Sequence, residues 1–382
     1  MSPHSSPGPL AGLRIVEFAG LGPCPFAGML LADMGADVIV VERAAGGGAG
    51  LERIATDRNK RSVVLDLKQA EGLAAAWRLV ESADALIEGF RPGVMERLGL
   101  GPEEALRRRP RLVYGRVTGW GQDGPLAQAA GHDLNYVALT GALSLSRRDE
   151  AAPVIPPTLI GDMAGGAMFL AFGVVCALLE AQRSGRGQVV DAAMVDGVAA
   201  LAALVRHMRG SPWWPEEPRH NVLLGSAPFY EVYECGDGQF VTLGAIEPPF
   251  YAELLRRLGL HDEDPAHQHE HARWPALKAR IAAVLKTQPR AHWCALLEGS
   301  DACFAPVLDL DEAAAHPHHA ARGTYVRVGG EVQPAPAPRL SRTPARAPGA
   351  APRRGEHTEA LLRELGYGVE DVARLRAAGA CG

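Results

Sequence analysis

His132 and Asp162 are the residues of this chain whose types most directly suggest a reaction. The histidine stands in Gly131-His132-Asp133-Leu134-Asn135-Tyr136, just ahead of a helix-like run, and the acid stands in Leu159-Ile160-Gly161-Asp162-Met163, at the mouth of a long apolar helix. An imidazole and a carboxylate facing one carbon from opposite sides can take a proton from one face and return one to the other. That is the chemistry of a racemase or epimerase. Each residue also has a plainer reading. A lone histidine is usually structural or exposed, and Asp162 can serve as the N-cap of its own helix. Context favours chemistry for His132, because it follows Gly119-Trp120-Gly121-Gln122-Asp123-Gly124-Pro125, a turn-rich loop after the carboxyl end of a strand. Open α/β sheets place their ligands at that end. Asp133 can cap the helix that starts beside it, and free backbone amides there suit a developing oxyanion. Glu247, in Gly244-Ala245-Ile246-Glu247-Pro248, follows a strand among apolar residues and has a bland reading as a helix cap.

The elements that must position these residues alternate along the first 120 positions. Apolar runs at 13–18, 37–42, 62–67, 85–88 and 112–117 read as strands, with helices at 25–34, 71–81, 94–98 and 102–108 between them. Alternation of this kind predicts an α/β fold: a Rossmann-like large domain with a mostly parallel sheet and helices on both faces. Helices are expected at 133–144, 162–183 and 191–208, and 188–191 is strand-like. The runs 229–234 and 239–243, joined by Cys235-Gly236-Asp237-Gly238, read as a β-hairpin. Helices at 248–258, 273–286 and 290–298 follow, making a smaller α+β domain. The expected domains are therefore 1–205, completed by 335–382; a linker 206–227; a small domain 228–325; and a return linker 326–334. Short helices at 357–365 and 369–378 close the chain.

A chain of 382 residues is too long for one ordinary core, so two domains are expected from length as well. A net charge of −5 supplies no global basic field for nucleic acid. Six cysteines, at 24, 176, 235, 294, 303 and 381, form no CxxC pair and read as reduced thiols in a cytoplasmic protein. The first nine residues are polar and proline-rich, without the pattern of a signal peptide. The uncharged run 163–179 is borderline for a membrane span, and its Gly/Ala content reads better as a buried helix, so no membrane is expected as a partner.

Three further patterns bear on ligands. Gly20-Leu21-Gly22 with Gly28 and Glu42 imitates a dinucleotide fingerprint, but the third glycine is displaced and Pro23 and Pro25 remove amide donors. It supports the topology rather than a nicotinamide or flavin. His267-Gln268-His269-Glu270-His271 and His316-Pro317-His318-His319 read as solvated surface rather than metal ligands. Arg43, Arg58, Lys60, Arg61 and Arg91 fall near the ends of early strands. They read either as a solvated rim or as an anionic site at the carboxyl edge of the sheet, where Arg and Lys suit phosphate.

Many separated motifs in one order resemble the CaiB/BaiF group, the family III CoA-transferases. They include residues 9–17 (Pro-Leu-Ala-Gly-Leu-Arg-Ile-Val-Glu), residues 29–39, Asn59-Lys60-Arg61-Ser62, Phe90-Arg91-Pro92-Gly93-Val94, the loop 119–125, the run 131–136, Gly185-Arg186-Gly187-Gln188-Val189-Val190-Asp191, and Gly355-Glu356-His357-Thr358. The resemblance implies an interlocked homodimer whose active site joins one subunit's large domain to the other's small domain. It implies an acyl-CoA substrate, no cofactor beyond that CoA, and CoA contacts at Arg43, Lys60, Arg91 and Arg58. In transferases of the family the acid matching Asp162 is a nucleophile. In the racemase branch it partners the histidine of the Gly-His-Asp motif, and the glutamate matching Glu247 orients that histidine, here from the partner subunit. His132 and Glu247 align this chain with the racemase branch, which implies epimerisation at C2 of 2-methylacyl-CoA thioesters, with the enolate held at the Asp133 amide. CoA transfer through a covalent Asp162 is the alternative. Thr158 departs from the asparagine usual four residues before the acid.

Overall fold

Strand β1 (Arg14–Phe18) is buried along almost its whole length, as its apolar run requires of a strand covered on both faces. In the computed structural model, which describes residues 8–18, 20–43, 54–146, 151–211, 214–215 and 220–382, β1 is the centre of a six-stranded sheet. Its neighbours are β2 (Asp37–Glu42) and β4 (Ala85–Glu88); β3 (Arg61–Val64) flanks β2, and β5 (Val113–Thr118) and β6 (Val189–Ala193) continue beyond β4. Every pairing is parallel and the order is β3-β2-β1-β4-β5-β6. This is the doubly wound Rossmann order, with the topological reversal between β1 and β4.

The pleat divides the core in two. Val16, Phe18, Ile39, Leu86 and Tyr114 face one side, where α2 (Ala70–Glu81) and the C-terminal α14 (Thr358–Glu364) and α15 (Val369–Ala377) cover them. Ile15, Val38, Ala85, Ile87 and Val113 face the other, under α1 (Pro23–Asp33) and α6 (Met168–Ser184). Short helices α3 (Val94–Arg97) and α4 (Pro102–Arg108) precede β5, α5 (Asp133–Leu139) follows it, and α7 (Met194–Leu201) follows β6. Leu159–Ser184 is long and apolar enough to span a membrane by length and composition. Its Leu170, Val174, Ala177 and Leu178 instead lie against β5 and β6, at the spacing of a core-facing stripe.

The chain divides into two compact units, Met1–Arg147 with Pro153–Leu201 and Gly323–Gly382, and Arg148–Ala152 with Ala202–Arg322. The second unit opens with α8 (Ala203–Met208) and contains a three-stranded antiparallel sheet. In that sheet β8 (Phe240–Gly244) lies between β7 (Tyr230–Glu234) and β9 (Phe304–Pro306). Helices α9 (Pro248–Arg257), α10 (Trp274–Leu285) and α11 (Arg290–Leu297) close its core around Phe229, Tyr251, Trp274 and Trp293, and α12 (Leu310–Ala315) and α13 (Pro317–Arg322) end the unit. Strand β9 was not foreseen in the sequence. Of the segments read as linkers or tails, residues 1–7, 212–213 and 216–219 lie outside the described residues.

Two readings are corrected by the fold. Residues 326–334 are no linker: β10 (Tyr325–Val328) and β11 (Glu331–Pro334) form an antiparallel hairpin within the first unit. Its turn is Gly329-Gly330, both at positive φ, the backbone a two-residue hairpin turn demands. The helix expected from 162 begins earlier, and differently. Leu159–Ala167 is a π-helix that runs directly into α6.

Candidate active site

Loops from the carboxyl ends of β1, β4 and β5 converge where the strand order reverses. The loop after β1 ends at Gly22, the N-cap of α1. A Cβ at Gly22 would stand 3.3 Å from Oδ2 of Asp162, so this glycine lets the carboxylate lie directly on the β1 loop. The Gly20-Leu21-Gly22 pattern, which imitates a nucleotide fingerprint, thus borders the candidate acid. After β4, Gly89 approaches Cys24 in the first turn of α1. After β5, Trp120 packs edge-on against Tyr136, with ring centroids 4.7 Å apart.

His132 is exposed and is the N-cap of α5. Its backbone N–H donates to Oδ1 of Asn135 at 3.0 Å, which fixes the direction in which the chain enters the helix. The phenol of Tyr136 donates to the Gly131 carbonyl and ties down the residue just before the histidine. Asp133 was expected to cap this helix. It is instead the first helical residue, and its carboxylate turns away to accept the Asp162 N–H at 2.7 Å.

Asp162 is not the cap of its own helix either. The N-cap is Thr158, in the left-handed region at φ 51°, and Asp162 lies in the opening turn of the π-helix. Thr158 Oγ1 donates to Asp162 Oδ2 at 2.8 Å. Partial burial pushes the Asp162 carboxyl above its usual range; the Thr158 hydrogen bond opposes this, the Asp133 charge adds to it, and His132 opposes it. Thr158, Asp133 and His132 therefore all act on the one carboxyl of Asp162. The Tyr136 phenol is also raised, first by burial and then by the Asp162 charge, with Arg91 opposing. Tyr136 and Gly22 were not singled out in the sequence as neighbours of the acid. A π-turn is a recurrent feature of functional sites because it breaks the regular helix face and re-aims one side chain.

The basic residues divide. Arg43 and Arg91, at the carboxyl ends of β2 and β4, are exposed. Arg58 and Lys60 precede β3, at its amino end, and both are buried in ion pairs. Arg58 chelates Asp33, with Nη2 2.6 Å from Oδ2, and also donates to the Pro334 carbonyl of the β10–β11 hairpin at 2.7 Å. Lys60 Nζ stands 2.9 and 2.7 Å from the two oxygens of Glu17 and 2.9 Å from the Pro25 carbonyl. Both cations are thus buried and engaged with a carboxylate and a backbone carbonyl. Arg61 is likewise engaged, with Asp37 and Glu364.

Glu247 belongs to the second unit, where it is exposed at the N-cap position of α9 and makes no side-chain capping bond. Among the described residues no cluster of His, Cys, Asp or Glu is arranged to hold a metal ion. His316 pairs with Glu298 at 2.7 Å, and His271 stacks on His220 with centroids 4.2 Å apart.

The family profile described as CoA-transferase family III matches residues 10–358. The chain is 45% identical to the α-methylacyl-CoA racemase of Mus musculus and 42% identical to that of Homo sapiens, in each case over 96% of both chains. Its fold is similar to a crystal structure of a CaiB/BaiF family protein from Brucella suis. That similarity has a TM-score of 0.82 at 26% identity and covers 94% of this chain and 99% of the other.

Proposed function

Because the chain belongs to CoA-transferase family III, we propose that it is an isomerase that inverts C2 of 2-methylacyl-CoA thioesters. The observation that carries this reading is near-full-length identity of 45% and 42% to two proteins named as racemases of that kind. An exposed histidine and a partly buried acid in mutual electrostatic reach supply the means.

The thioester acidifies the C2 proton. His132 removes it from one face, charge moves onto the thioester oxygen, and Asp162 returns a proton to the opposite face; the roles exchange in the reverse direction. Such a pair works best when its two proton arrangements, neutral imidazole with protonated acid and imidazolium with carboxylate, are close in energy. Burial favours this by lifting Asp162 towards the ordinary imidazole range. The enolate oxygen is held by the Asp133 amide, whose place at the first position of α5 leaves it without an intrahelical acceptor. Arg43 and Arg91 are the exposed cations suited to the CoA phosphates. Arg58 and Lys60 instead hold Asp33 and Glu17 in buried ion pairs. No metal or redox group is needed for any of these steps.

The direct test is exchange of the C2 proton of 2-methylacyl-CoA esters for solvent deuterium. Exchange with loss of configuration is expected. No exchange across a series of chain lengths, together with a hydroxylamine-trappable acyl group on Asp162, would instead establish CoA transfer through a covalent aspartyl intermediate.

The outer face of α6 carries Phe172 (69% exposed), Met168 and Leu179. An apolar face of that kind calls for a cover. We assign it to a second copy of the chain, with Glu247 of the partner subunit orienting His132. Sedimentation should give twice the chain mass, and Phe172→Glu should lower it; a wild-type mass of one chain would refute the dimer.

A further inference from the structure

We propose that the Asp133 carboxylate is a positioning residue that locks His132 and Asp162 to one another. The inference rests on reading those two as the acid–base pair, and concerns the side chain of Asp133 rather than its amide.

In a π-helix each N–H reaches the carbonyl five residues back, so the first residues have no internal acceptor. Met163 is the first to find one, at Thr158 O, 3.4 Å away. The N–H of Asp162 is thus the last unpaired donor of the opening turn, and Asp133 Oδ1 takes it from another element at 2.7 Å. The fit is tight. A Cβ at Gly161 would stand 2.5 Å from that oxygen, so only glycine lets the Asp133 carboxylate reach the backbone here. Asp133 is itself buried, 8% exposed, and follows His132 directly. A continuous chain of contacts results: Asn135 holds the His132 backbone, Asp133 holds Asp162, and Thr158 holds the Asp162 carboxylate. His132 cannot drift from Asp162 without breaking it.

The same contacts set the proton affinity of Asp162 with opposite signs. The charge of Asp133 raises it and the Thr158 hydrogen bond lowers it; the other groups facing Asp162 are His132 and Tyr136, with Arg91 acting on the latter. Asp133→Asn keeps a hydrogen-bond acceptor but removes the charge, so the Asp162 midpoint should move to lower pH. Thr158→Val removes the donor, so it should move to higher pH. Asp133→Ala removes contact and charge together. A displaced reacting group costs about 10²-fold, so Asp133→Ala should lose about that factor in C2 exchange at its own pH optimum, and Asp133→Asn distinctly less.

The experiment follows C2 deuterium exchange against pH in wild type and the three variants, with 13C-labelled aspartate reporting the Asp162 carboxyl by NMR. Opposite midpoint shifts in Asp133→Asn and Thr158→Val, with the larger rate loss in Asp133→Ala, support the proposal. A wild-type rate and midpoint in Asp133→Ala overturn it. If Asp133→Ala does not fold, shifts of the same sign or no shift in the other two overturn it. If wild type shows no exchange, the racemase reading fails, and the NMR midpoints still decide whether Asp133 governs Asp162.

Discussion

His132→Gln is expected to slow C2 deuterium exchange by about 10²–10⁴-fold, the usual contribution of a positioned general acid or base. Glutamine keeps much of the side-chain size but can neither accept nor deliver the proton at neutral pH. Because His132 is exposed and its backbone, not its ring, is tied to Asn135, the fold around it should survive. The loss should fall on kcat, with KM for the thioester much less affected. A second consequence has a definite sign. His132 lowers the Asp162 carboxyl, so its removal should move the Asp162 midpoint to higher pH. Transfer chemistry predicts something different: an acyl group trapped on Asp162 would persist in His132→Gln. Exchange within tenfold of wild type would exclude His132 from the reaction.

Lys60→Met is expected to destabilise the protein by about 3–5 kcal/mol, the cost of leaving one member of a buried ion pair uncompensated. The Lys60 and Glu17 side chains are 0% and 1% exposed, and Glu17 lies in the central strand β1. Burial already raises the Glu17 carboxyl, and Lys60 is the main influence holding it down. Without Lys60 it rises further. The sign for pH follows from that. A carboxyl with a raised folded-state pKa favours the protonated form in the fold, so the penalty is full above that pKa and fades towards the ordinary unfolded value of about 4.3. Urea unfolding should therefore show a larger deficit at pH 8 than at pH 5. The double variant Glu17→Leu/Lys60→Met should recover much of the loss. If Lys60 instead served chiefly to bind phosphate, Lys60→Met would raise KM for acyl-CoA at unchanged stability.

Arg58 and Lys60 mark the limit of what the sequence discloses. Basic side chains near strand ends suit a phosphate rim, and exposed Arg43 and Arg91 remain available for one. Arg58 and Lys60 look the same in sequence, but their carboxylate partners stand 25 and 43 positions away. Nothing local announces that they are buried. The parallel sheet was legible because each buried strand is a short apolar run and each crossover carries a helix of its own. The β10–β11 hairpin was not, since Tyr325–Val328 and Glu331–Pro334 are short, partly charged and flanked by proline. His132 and Asp162 could be named as a pair from residue type and the surrounding motifs. What could not be read was the direction of Asp162, because Leu159–Ala167 is apolar or small nearly all round and fits an α-helical period as well as any other.

The direction of that acid is, in consequence, a matter of counting. An α-helix turns about 100° per residue, and a π-turn absorbs one residue more than an α-turn. Were a single residue deleted from the regular part of α6 just beyond Ala167, with the π-helix kept and the rest of α6 still seated on β5 and β6, everything before the deletion would turn by one residue. The acid would then point about 100° elsewhere, away from Gly22. A point substitution changes what a side chain is, whereas a one-codon deletion here would change where an unaltered side chain looks. Activity at this site can thus be lost in one step while fold and composition stay almost the same. Sequence searches for inactive members of such a group should therefore attend to length between the acid and the seated part of this helix as closely as to the identity of the acid.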